Sequence, residues 1–232
     1  MDSVYRRGRW RGRAESCQTK CMVRSSVNDA LIVVDLQNDF CPGGALAVDR
    51  GDEIVPLARQ LANRFEHVIL TQDWHPKGHI SFASAHAGKK PYEMGQASYG
   101  PQALWPDHCV QGTAGADFHP ELQLVRAELI LRKGFRSDID SYSAFLENDH
   151  TTPTGLAGYL RERGLTRLFF CGLAYDFCVR HSAVDGVALD FECLVVEDAC
   201  RAVRLPGSVE ATDQAFLEAG IQRISASDIQ PH

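Results

Sequence analysis

The sequence predicts an α/β fold: a doubly wound, mostly parallel six-stranded sheet flanked by helices. Short apolar runs that suit buried strands recur along the chain, and segments with helical spacing of apolar residues lie between them. Neither an internal repeat nor a linker divides the chain after its first residues. A chain of 232 residues is long enough for one such domain to fold without disulfides or metal.

The first half of the predicted sheet contains three strands and one helix. Ala30–Val34 is a continuous apolar run, typical of a strand buried on both faces of a parallel sheet. Residues 52–65 carry apolar side chains at helical spacing, and His67–Thr71 forms the second strand. Glu128–Leu131 is a short third strand.

The second half alternates regularly between helices and strands. Glycines follow two of the helices, at Gly164 and Gly220, where the chain needs a left-handed residue to end a helix. The predicted elements are a helix at Leu156–Arg163, a strand at Leu168–Cys171, a helix at Phe177–Leu189, a strand at Phe191–Val196, a helix at Val209–Ala219 and a last strand at Ile221–Ser225.

Charge is distributed unevenly, which predicts two regions. Residues 1–24 hold seven Lys or Arg and two acids, leaving 17 basic and 28 acidic residues over 25–232. We therefore predict a disordered basic extension over residues 1–28 and a folded domain over residues 29–232. An acidic domain argues against a nucleic-acid partner, and no apolar run is long enough to predict a membrane span. The sequence leaves open whether the protein forms a homo-oligomer.

The Arg-rich beginning of the chain lacks the apolar core of a secretory signal. We expect a cytoplasmic protein, with organelle targeting through the Arg-rich segment as the alternative. The eight cysteines are then expected to be thiols rather than disulfides. Cys171 and Cys193 lie inside predicted strands and should be buried. Cys17 and Cys21 form a CxxxC pair without two further ligands nearby, so no zinc site is predicted there.

Residues 73–120 do not fit the alternating pattern. They connect the second and third strands, show little periodicity and are rich in Gly, Pro, His, Trp and Tyr. A connection this long inside a compact domain is usually functional. It leaves the carboxyl end of a strand, where open α/β sheets bind their ligands, so the site is predicted there.

Three reactive side chains follow three predicted strands: Asp35, Lys133 and Cys178. In a parallel sheet these positions share one edge, so the side chains can converge. A cysteine near a helix N-terminus and an ammonium has its thiolate stabilised, and a carboxylate can take its proton. Such a set suits attack on an amide carbonyl, although each residue alone is equally consistent with a structural role.

The long connection also contains a candidate metal site. Asp73 and His75 would point the same way on an extended backbone, His79 follows four residues later, and His108 lies in a Trp-Pro-Asp-His-Cys segment. One carboxylate with two or three imidazoles suits Zn²⁺, Fe²⁺ or Mn²⁺ and leaves coordination positions open. The alternative is that these histidines are merely solvated.

Smaller signals accompany the reactive residues. Gly172-Leu173-Ala174 precedes Cys178, and small residues there would let backbone N–H groups approach a reacting carbonyl; an ordinary tight turn is the alternative. Phe40, Trp105 and Tyr142 could bind a flat aromatic substrate or could belong to the core.

Taken together, these motifs resemble the nicotinamidases of the isochorismatase-like cysteine hydrolase superfamily over about residues 29–226. The Asp, Lys and Cys positions resemble the superfamily, and the metal-ligand segments are specific to nicotinamidases within it. The matching segments are Val34–Gly44, Thr71–Pro76, Trp105–Thr113, Lys133-Gly134, Asp140–Phe145 and Gly172–Val179.

The resemblance implies a role for each of these residues. Cys178 would be the nucleophile, Asp35 the general base and acid, and Lys133 the charge partner. An oxyanion hole would be formed by the amides of Ala174, which follows a cis peptide in the family, and of Cys178. One divalent ion, Zn²⁺ before Fe²⁺ or Mn²⁺, would be held by Asp73, His75, His79 and His108. Phe40 and Trp105 match the residues that sandwich the pyridine ring, and Tyr175 stands where many members have Thr.

The implied function is hydrolysis of nicotinamide to nicotinate and ammonia through a cysteine thioester, as a step of NAD salvage. Two other hypotheses stay open. A related hydrolase that acts on another small amide would hold no metal and would tolerate chelators. A redox-sensing or metal-buffering protein would bind metal but release no ammonia, and it would leave Asp35 and Lys133 without a role.

Overall fold

The computed structural model describes residues 22–230. Its strands are β1 (Val23–Arg24), β2 (Asp29–Val34), β3 (His67–Asp73), β4 (Met94–Ala97), β5 (Gly100–Ala103), β6 (Leu129–Lys133), β7 (Arg167–Leu173), β8 (Glu192–Arg201), β9 (Gln222–Ile224) and β10 (Ile229–Gln230). Its α-helices are α1 (Val55–Ala62), α2 (Leu156–Glu162), α3 (Arg180–Ala188) and α4 (Ser208–Ala219).

The central sheet confirms the predicted fold class. Six strands pair in parallel in the order β6-β3-β2-β7-β8-β9, and they are the six strands that the sequence predicts. From β2 the chain builds outward through β3 to β6, and from β7 it builds the other way through β8 to β9. The direction reverses between β2 and β7, which is where such sheets open a ligand crevice.

Helices cover both faces of the sheet, as doubly wound folds require. Alternate residues of β2 point to opposite sides: Leu31 and Val33 pack in the core beneath α1, whereas Ala30, Ile32 and Val34 pack beneath α2, α3 and α4. β2 is therefore buried on both faces, which explains its uninterrupted apolar sequence.

Two predicted helices differ locally from the expectation. Residues 52–65 form a 3₁₀ turn at Gly51–Ile54 followed by α1, which has proline in its first turn. The helix after β7 begins as a π-helical turn at Tyr175–Val179 and continues as α3. Single π-helical turns are frequent at functional sites, and this one contains Cys178.

The long connection contains a hairpin that periodicity does not predict. β4 and β5 pair antiparallel within residues 94–103. Both strands are short and contain Gly or Pro, so they lack the apolar–polar alternation by which a half-buried strand is recognised.

The predicted basic extension lies only partly within the described residues. Residues 1–21, with Cys17 and Cys21, are outside them. Val23–Arg24 pair in parallel with Ile229–Gln230, so folded structure begins before the predicted boundary at Asp29. Among residues 22–230, no helix is long and apolar enough to cross a membrane.

Candidate active site

Three predicted catalytic residues meet at the point where the strand order reverses. Asp35 follows β2, Cys178 follows β7 and Lys133 ends β6. Lys133 Nζ lies 2.7 Å from Asp35 Oδ2 and 3.4 Å from Cys178 Sγ. All three side chains are buried, with residue exposures of 0% to 5%. The expected convergence of residues far apart in sequence is therefore present.

Lys133 is a buried cation held between two carboxylates. Its ammonium contacts Asp35 and Asp73 and donates a hydrogen bond to Ser141 O at 3.1 Å. Burial alone would lower the pKa of Lys133, but the two carboxylates outweigh burial and raise the pKa well above its ordinary value. Lys133 therefore stays charged, and its charge offsets the burial of both acids.

The pKa values of the two acids beside Lys133 are shifted in opposite directions. Burial raises the pKa of Asp35 to about 6, although Lys133 acts in the opposite direction. Burial also acts to raise the pKa of Asp73, but Lys133, together with His75 when its ring is protonated, outweighs burial and holds the Asp73 pKa well below its usual range. Asp73 is thus a permanent anion, and Asp35 is an acid poised to exchange a proton near neutral pH.

The Cys178 thiol differs from the expectation of a stabilised thiolate. Burial raises the pKa of Cys178 well above that of an ordinary cysteine, and the opposing effect of Lys133 does not compensate. The resting residue is therefore a neutral thiol. Oxygen and sulfur atoms of Asp35, Asp73 and Cys178 lie within 4.8 Å of one another, so a base that can take the thiol proton is at hand.

Asp73, His75 and His108 form a buried cluster with the composition of a metal site. One donor atom from each lies within 4.8 Å of the other two. Asp73 Oδ2 is 3.6 Å from His75 Nε2 and 3.8 Å from His108 Nε2, whereas Asp73 Oδ1 faces Lys133. These three residues could hold one divalent ion, because a carboxylate and two imidazoles are ligands that such ions prefer.

Backbone carbonyls orient both imidazoles. His75 Nδ1 lies 2.9 Å from Gly134 O, and His108 Nδ1 lies 2.8 Å from Pro106 O. A carbonyl can only accept, so Nδ1 carries the proton in each neutral ring and Nε2 presents its lone pair to the cluster. Burial lowers the pKa of His108 to about 4, which keeps that ring neutral as a ligand must be.

His79 is the predicted ligand that the structure does not bring into this cluster. It forms a second set with His75 and Asp140. Its Nδ1 lies 2.7 Å from Ser81 Oγ and its Nε2 lies 3.2 Å from Ile139 O, so both ring nitrogens have protein partners. The His79 ring lies against that of His75, with centroids 4.3 Å apart.

Gly134→Ala is expected to displace His75. Gly134 has a φ of +64°, and a Cβ at this position would lie 2.4 Å from His75 Cε1. We expect the purified variant to hold less divalent metal than the wild-type protein, measured by elemental analysis. Gly158→Ala is the matched control, because no atom lies within 4 Å of its added Cβ. Equal metal content in Gly134→Ala and wild type would contradict this expectation.

An aromatic pocket joins Cys178 to the candidate metal cluster of Asp73, His75 and His108. The predicted substrate residues Phe40, Trp105 and Tyr142 all line it, together with Ala174, Cys178, Asp73, His75 and His108. Tyr142 is fixed because its hydroxyl accepts hydrogen bonds from Trp105 Nε1 at 3.0 Å and from Gln102 Nε2 at 2.9 Å. The pocket is narrow and mostly apolar, which suits a flat ring.

Sequence reasoning missed several residues that shape this pocket. Leu46, Phe177 and Val203 also line it. Gln37 fixes the backbone of Asp73, because its amide nitrogen donates to Asp73 O and its amide oxygen accepts from Asp73 N, both at 2.8 Å. Gln37 and Phe177 stand inside quoted motifs, whereas nothing in the local sequence distinguishes Val203.

The last residues of β7 lie very close to the backbone of the neighbouring strand β2. Gly172 has a φ of +119°, and a Cβ there would lie 2.1 Å from Val34 O, so no other residue fits. The peptide bond between Leu173 and Ala174 is cis, as the resemblance implies.

Tyr175 points away from the pocket, since its hydroxyl donates to Asp213 at 2.7 Å and its ring packs on Phe216.

Comparison with known proteins identifies relatives over nearly the whole described chain. The profile of the family described as "Isochorismatase domain" matches residues 29–226. A curated nicotinamidase from Acinetobacter baylyi is 52% identical over 207 residues, which are 89% of this chain and 97% of that protein.

Solved structures agree in fold. A nicotinamidase and pyrazinamidase from Acinetobacter baumanii superposes with a TM-score of 0.87 at 54% identity, covering 88% of this chain and 98% of that one. A pyrazinamidase from Pyrococcus horikoshii, solved in complex with zinc, has a TM-score of 0.71 at 33% identity, covering 85% and 99%.

Proposed function

The chain belongs to the isochorismatase family, and from its similarity to nicotinamidases we propose that it hydrolyses nicotinamide to nicotinate and ammonia through a thioester on Cys178. One observation carries the mechanism: Lys133 Nζ lies within reach of both the Asp35 carboxylate and the Cys178 thiol, and Cys178 lines a pocket that a flat ring fits. In this scheme Cys178 is the nucleophile, Lys133 the charge partner, and Asp35 transfers protons in several successive steps.

In the first half-reaction, Asp35 takes the proton from Cys178, and the sulfur forms a bond to the carboxamide carbon. The carbonyl π electrons move to oxygen, and the amides of Ala174 and Cys178 stabilise the resulting oxyanion. When the carbonyl re-forms, the C–N bond breaks, and Asp35 gives its proton to the leaving nitrogen. Ammonia departs and a thioester remains on Cys178.

In the second half-reaction, Asp35 takes a proton from water, and the hydroxide oxygen attacks the thioester carbon. Collapse of the second tetrahedral intermediate breaks the C–S bond and releases the carboxylic acid product. The sulfur leaves as thiolate and recovers a proton from Asp35, which restores the resting state. Lys133 stays protonated throughout, so it compensates the charge that passes between Asp35 and Cys178.

Phe40 and Trp105 would hold the pyridine ring, and Asp73, His75 and His108 would bind one divalent ion, for which we propose Zn²⁺ first. The donor set fits such an ion, because both imidazoles present Nε2 lone pairs beside a charged carboxylate. When bound, the ion would anchor and polarise the ring nitrogen. The pyrazinamidase solved with zinc supports the choice of metal.

Ammonia release from nicotinamide tests the function directly. We expect stoichiometric ammonia and nicotinate, quantified by a coupled assay and by chromatography. A protein that hydrolyses only other small amides, contains no metal and is indifferent to chelators would instead be the related metal-free hydrolase. A protein that binds metal but releases no ammonia from any amide would overturn the assignment as an enzyme.

His108→Ala is expected to separate metal binding from the covalent chemistry. His108 contributes one of the three converging donors, and losing one ligand typically weakens metal binding by well over tenfold. We expect substoichiometric metal and a KM for nicotinamide raised by roughly tenfold or more. His119→Ala, outside the pocket, should keep both at wild-type values. Full metal occupancy in His108→Ala would contradict the assigned ligand set.

The activity should fall on the acid side of neutrality. Burial raises the pKa of Asp35 to about 6, and the proposed base must be deprotonated to accept the thiol proton. Asp35 is therefore active above about pH 6 and inactive below it. We expect kcat/KM to fall about tenfold per pH unit below that value, measured in buffers that do not chelate metal. A flat profile between pH 5 and 7, taken as about one unit either side of this pKa, would contradict the role of Asp35.

A further inference from the structure

Thr71 makes two hydrogen bonds to Asp35. Thr71 lies in β3, its side chain is buried, and its register partner on β6 is Leu131. The hydroxyl Oγ1 donates to Asp35 Oδ1 at 2.6 Å and accepts from the Asp35 amide at 3.2 Å. One side chain on a neighbouring strand therefore binds both the backbone and the carboxylate of Asp35.

These two contacts determine where the hydroxyl proton points. A threonine hydroxyl has a single proton and two lone pairs. Because the Asp35 N–H occupies one lone pair, the proton is directed to the carboxylate. Since the β-branched side chain of Thr71 is stiff at χ1, it holds this direction from β3, an interior strand of the sheet.

The remaining oxygen of Asp35 is left for chemistry. Oδ2 lies 2.7 Å from Lys133 Nζ, yet among the described residues it accepts no hydrogen bond of good geometry. The carboxylate also lies within 4.8 Å of Cys178 Sγ. An Oδ1 anchored by a hydrogen bond and an Oδ2 held only by the ion pair with Lys133 suit a base that accepts a proton, donates it and accepts another without rotating its carboxylate.

Backbone strain makes the anchor more important. Asp35 has a φ of +47°, a left-handed conformation that costs a non-glycine residue free energy unless its surroundings hold it. The bond from the Asp35 amide to Thr71, together with the bond that Asp35 O accepts from Gln37 N at 2.8 Å, supports this conformation.

We propose that Thr71 is a positioning residue for the reaction: it holds Asp35 Oδ1 so that Oδ2 serves as the single proton-transfer oxygen between the Cys178 thiol, the leaving nitrogen and water. This inference rests on the proposed function, because it requires Asp35 to act as the base. Thr71 lies two residues before Asp73 in the chain but contributes nothing to the metal cluster.

Two matched pairs of variants test the role of the hydroxyl. Thr71→Val keeps the branched shape of wild type and removes the hydroxyl. Thr71→Ser and Thr71→Ala both lose the methyl group and differ only in the hydroxyl. We expect Thr71→Val and Thr71→Ala to lower kcat for nicotinamide by about 10- to 100-fold, the effect of losing a hydrogen bond to a charged group. Thr71→Ser should stay within about threefold of wild type, because its hydroxyl keeps the bond.

A merely structural role would give a different pattern. The KM for nicotinamide, the affinity for nicotinate by calorimetry and the metal content should stay within about twofold in all three variants, because Thr71 touches neither ligand nor metal cluster. If kcat in Thr71→Val equals that of wild type, or if Thr71→Ser is as slow as Thr71→Ala, the proposal is wrong. If Thr71→Val does not fold, the Ser and Ala pair decides by the same criteria.

Asp35→Asn in the same assay separates the two levels of inference. An inactive Asp35→Asn together with a fully active Thr71→Val would overturn the positioning role alone. An active Asp35→Asn would overturn the proposed base, and the role of Thr71 with it.

Discussion

Cys178→Ala is expected to lower ammonia release from nicotinamide by roughly 10⁴-fold or more, because Cys178 is the only cysteine among the described residues that lines the pocket. Removing the sulfur leaves the aromatic walls, the metal cluster and Lys133 in place. The variant should therefore still bind nicotinate, measured by calorimetry, with an affinity within about tenfold of wild type.

Cys193→Ala is the matched control for this substitution. Cys193 is also a buried, unpaired thiol, but it lies in β8 and packs in the core rather than in the pocket. We expect it to retain full turnover and to lose only some stability. Turnover in Cys178→Ala comparable to that in Cys193→Ala would mean that the reaction does not pass through a covalent intermediate.

Lys133→Met should have the second-largest effect, on activity and on stability together. The lysine side chain is fully buried and is the only cation between Asp35 and Asp73 in the described part of the chain. Without it, burial and the Asp73 charge both raise the pKa of Asp35, so Asp35 is protonated at neutral pH and cannot act as a base. We expect a kcat loss of roughly 10³-fold and a decrease of about 3–5 kcal/mol in the free energy of unfolding, as for other broken buried ion pairs.

Lys89→Met provides the comparison for the lysine. Its ammonium is on the surface, 3.9 Å from Glu93, and such pairs contribute about 0–1 kcal/mol. Urea denaturation followed by fluorescence measures both variants. Equal unfolding free energies for Lys133→Met and Lys89→Met would show that the buried cation does not offset the two carboxylates.

The elements of the sheet could be predicted from the sequence because their signals are local. A strand buried on both faces must be apolar throughout, as β2 is, and a helix on one face must repeat its apolar residues at helical spacing, as α1 does. The β4–β5 hairpin could not be predicted from the sequence. Its short strands contain Gly and Pro and lack the apolar–polar alternation that marks a strand, and they are defined only by their pairing with each other.

Much of the candidate site could also be predicted from the sequence. Parallel strands bring their carboxyl ends to one edge, so the positions of Asp35, Lys133 and Cys178 after three strands predicted that they meet. The motif resemblance added the metal residues. By contrast, Val203 reaches the pocket from the connection between β8 and α4, and no pattern in its neighbourhood distinguishes it.

The sequence by itself determined which segments form the strands, which reactive groups follow them and the family to which the chain belongs. Only the tertiary structure decided the pKa shifts of those groups and which of them come together in the site. Burial keeps Cys178 a thiol and raises the pKa of Asp35, Lys133 holds Asp73 charged, and carbonyl contacts turn two imidazoles toward the cluster while His79 is bound elsewhere. The reason is physical: side-chain identity is local, whereas desolvation and electrostatic interaction depend on every group that folding brings near.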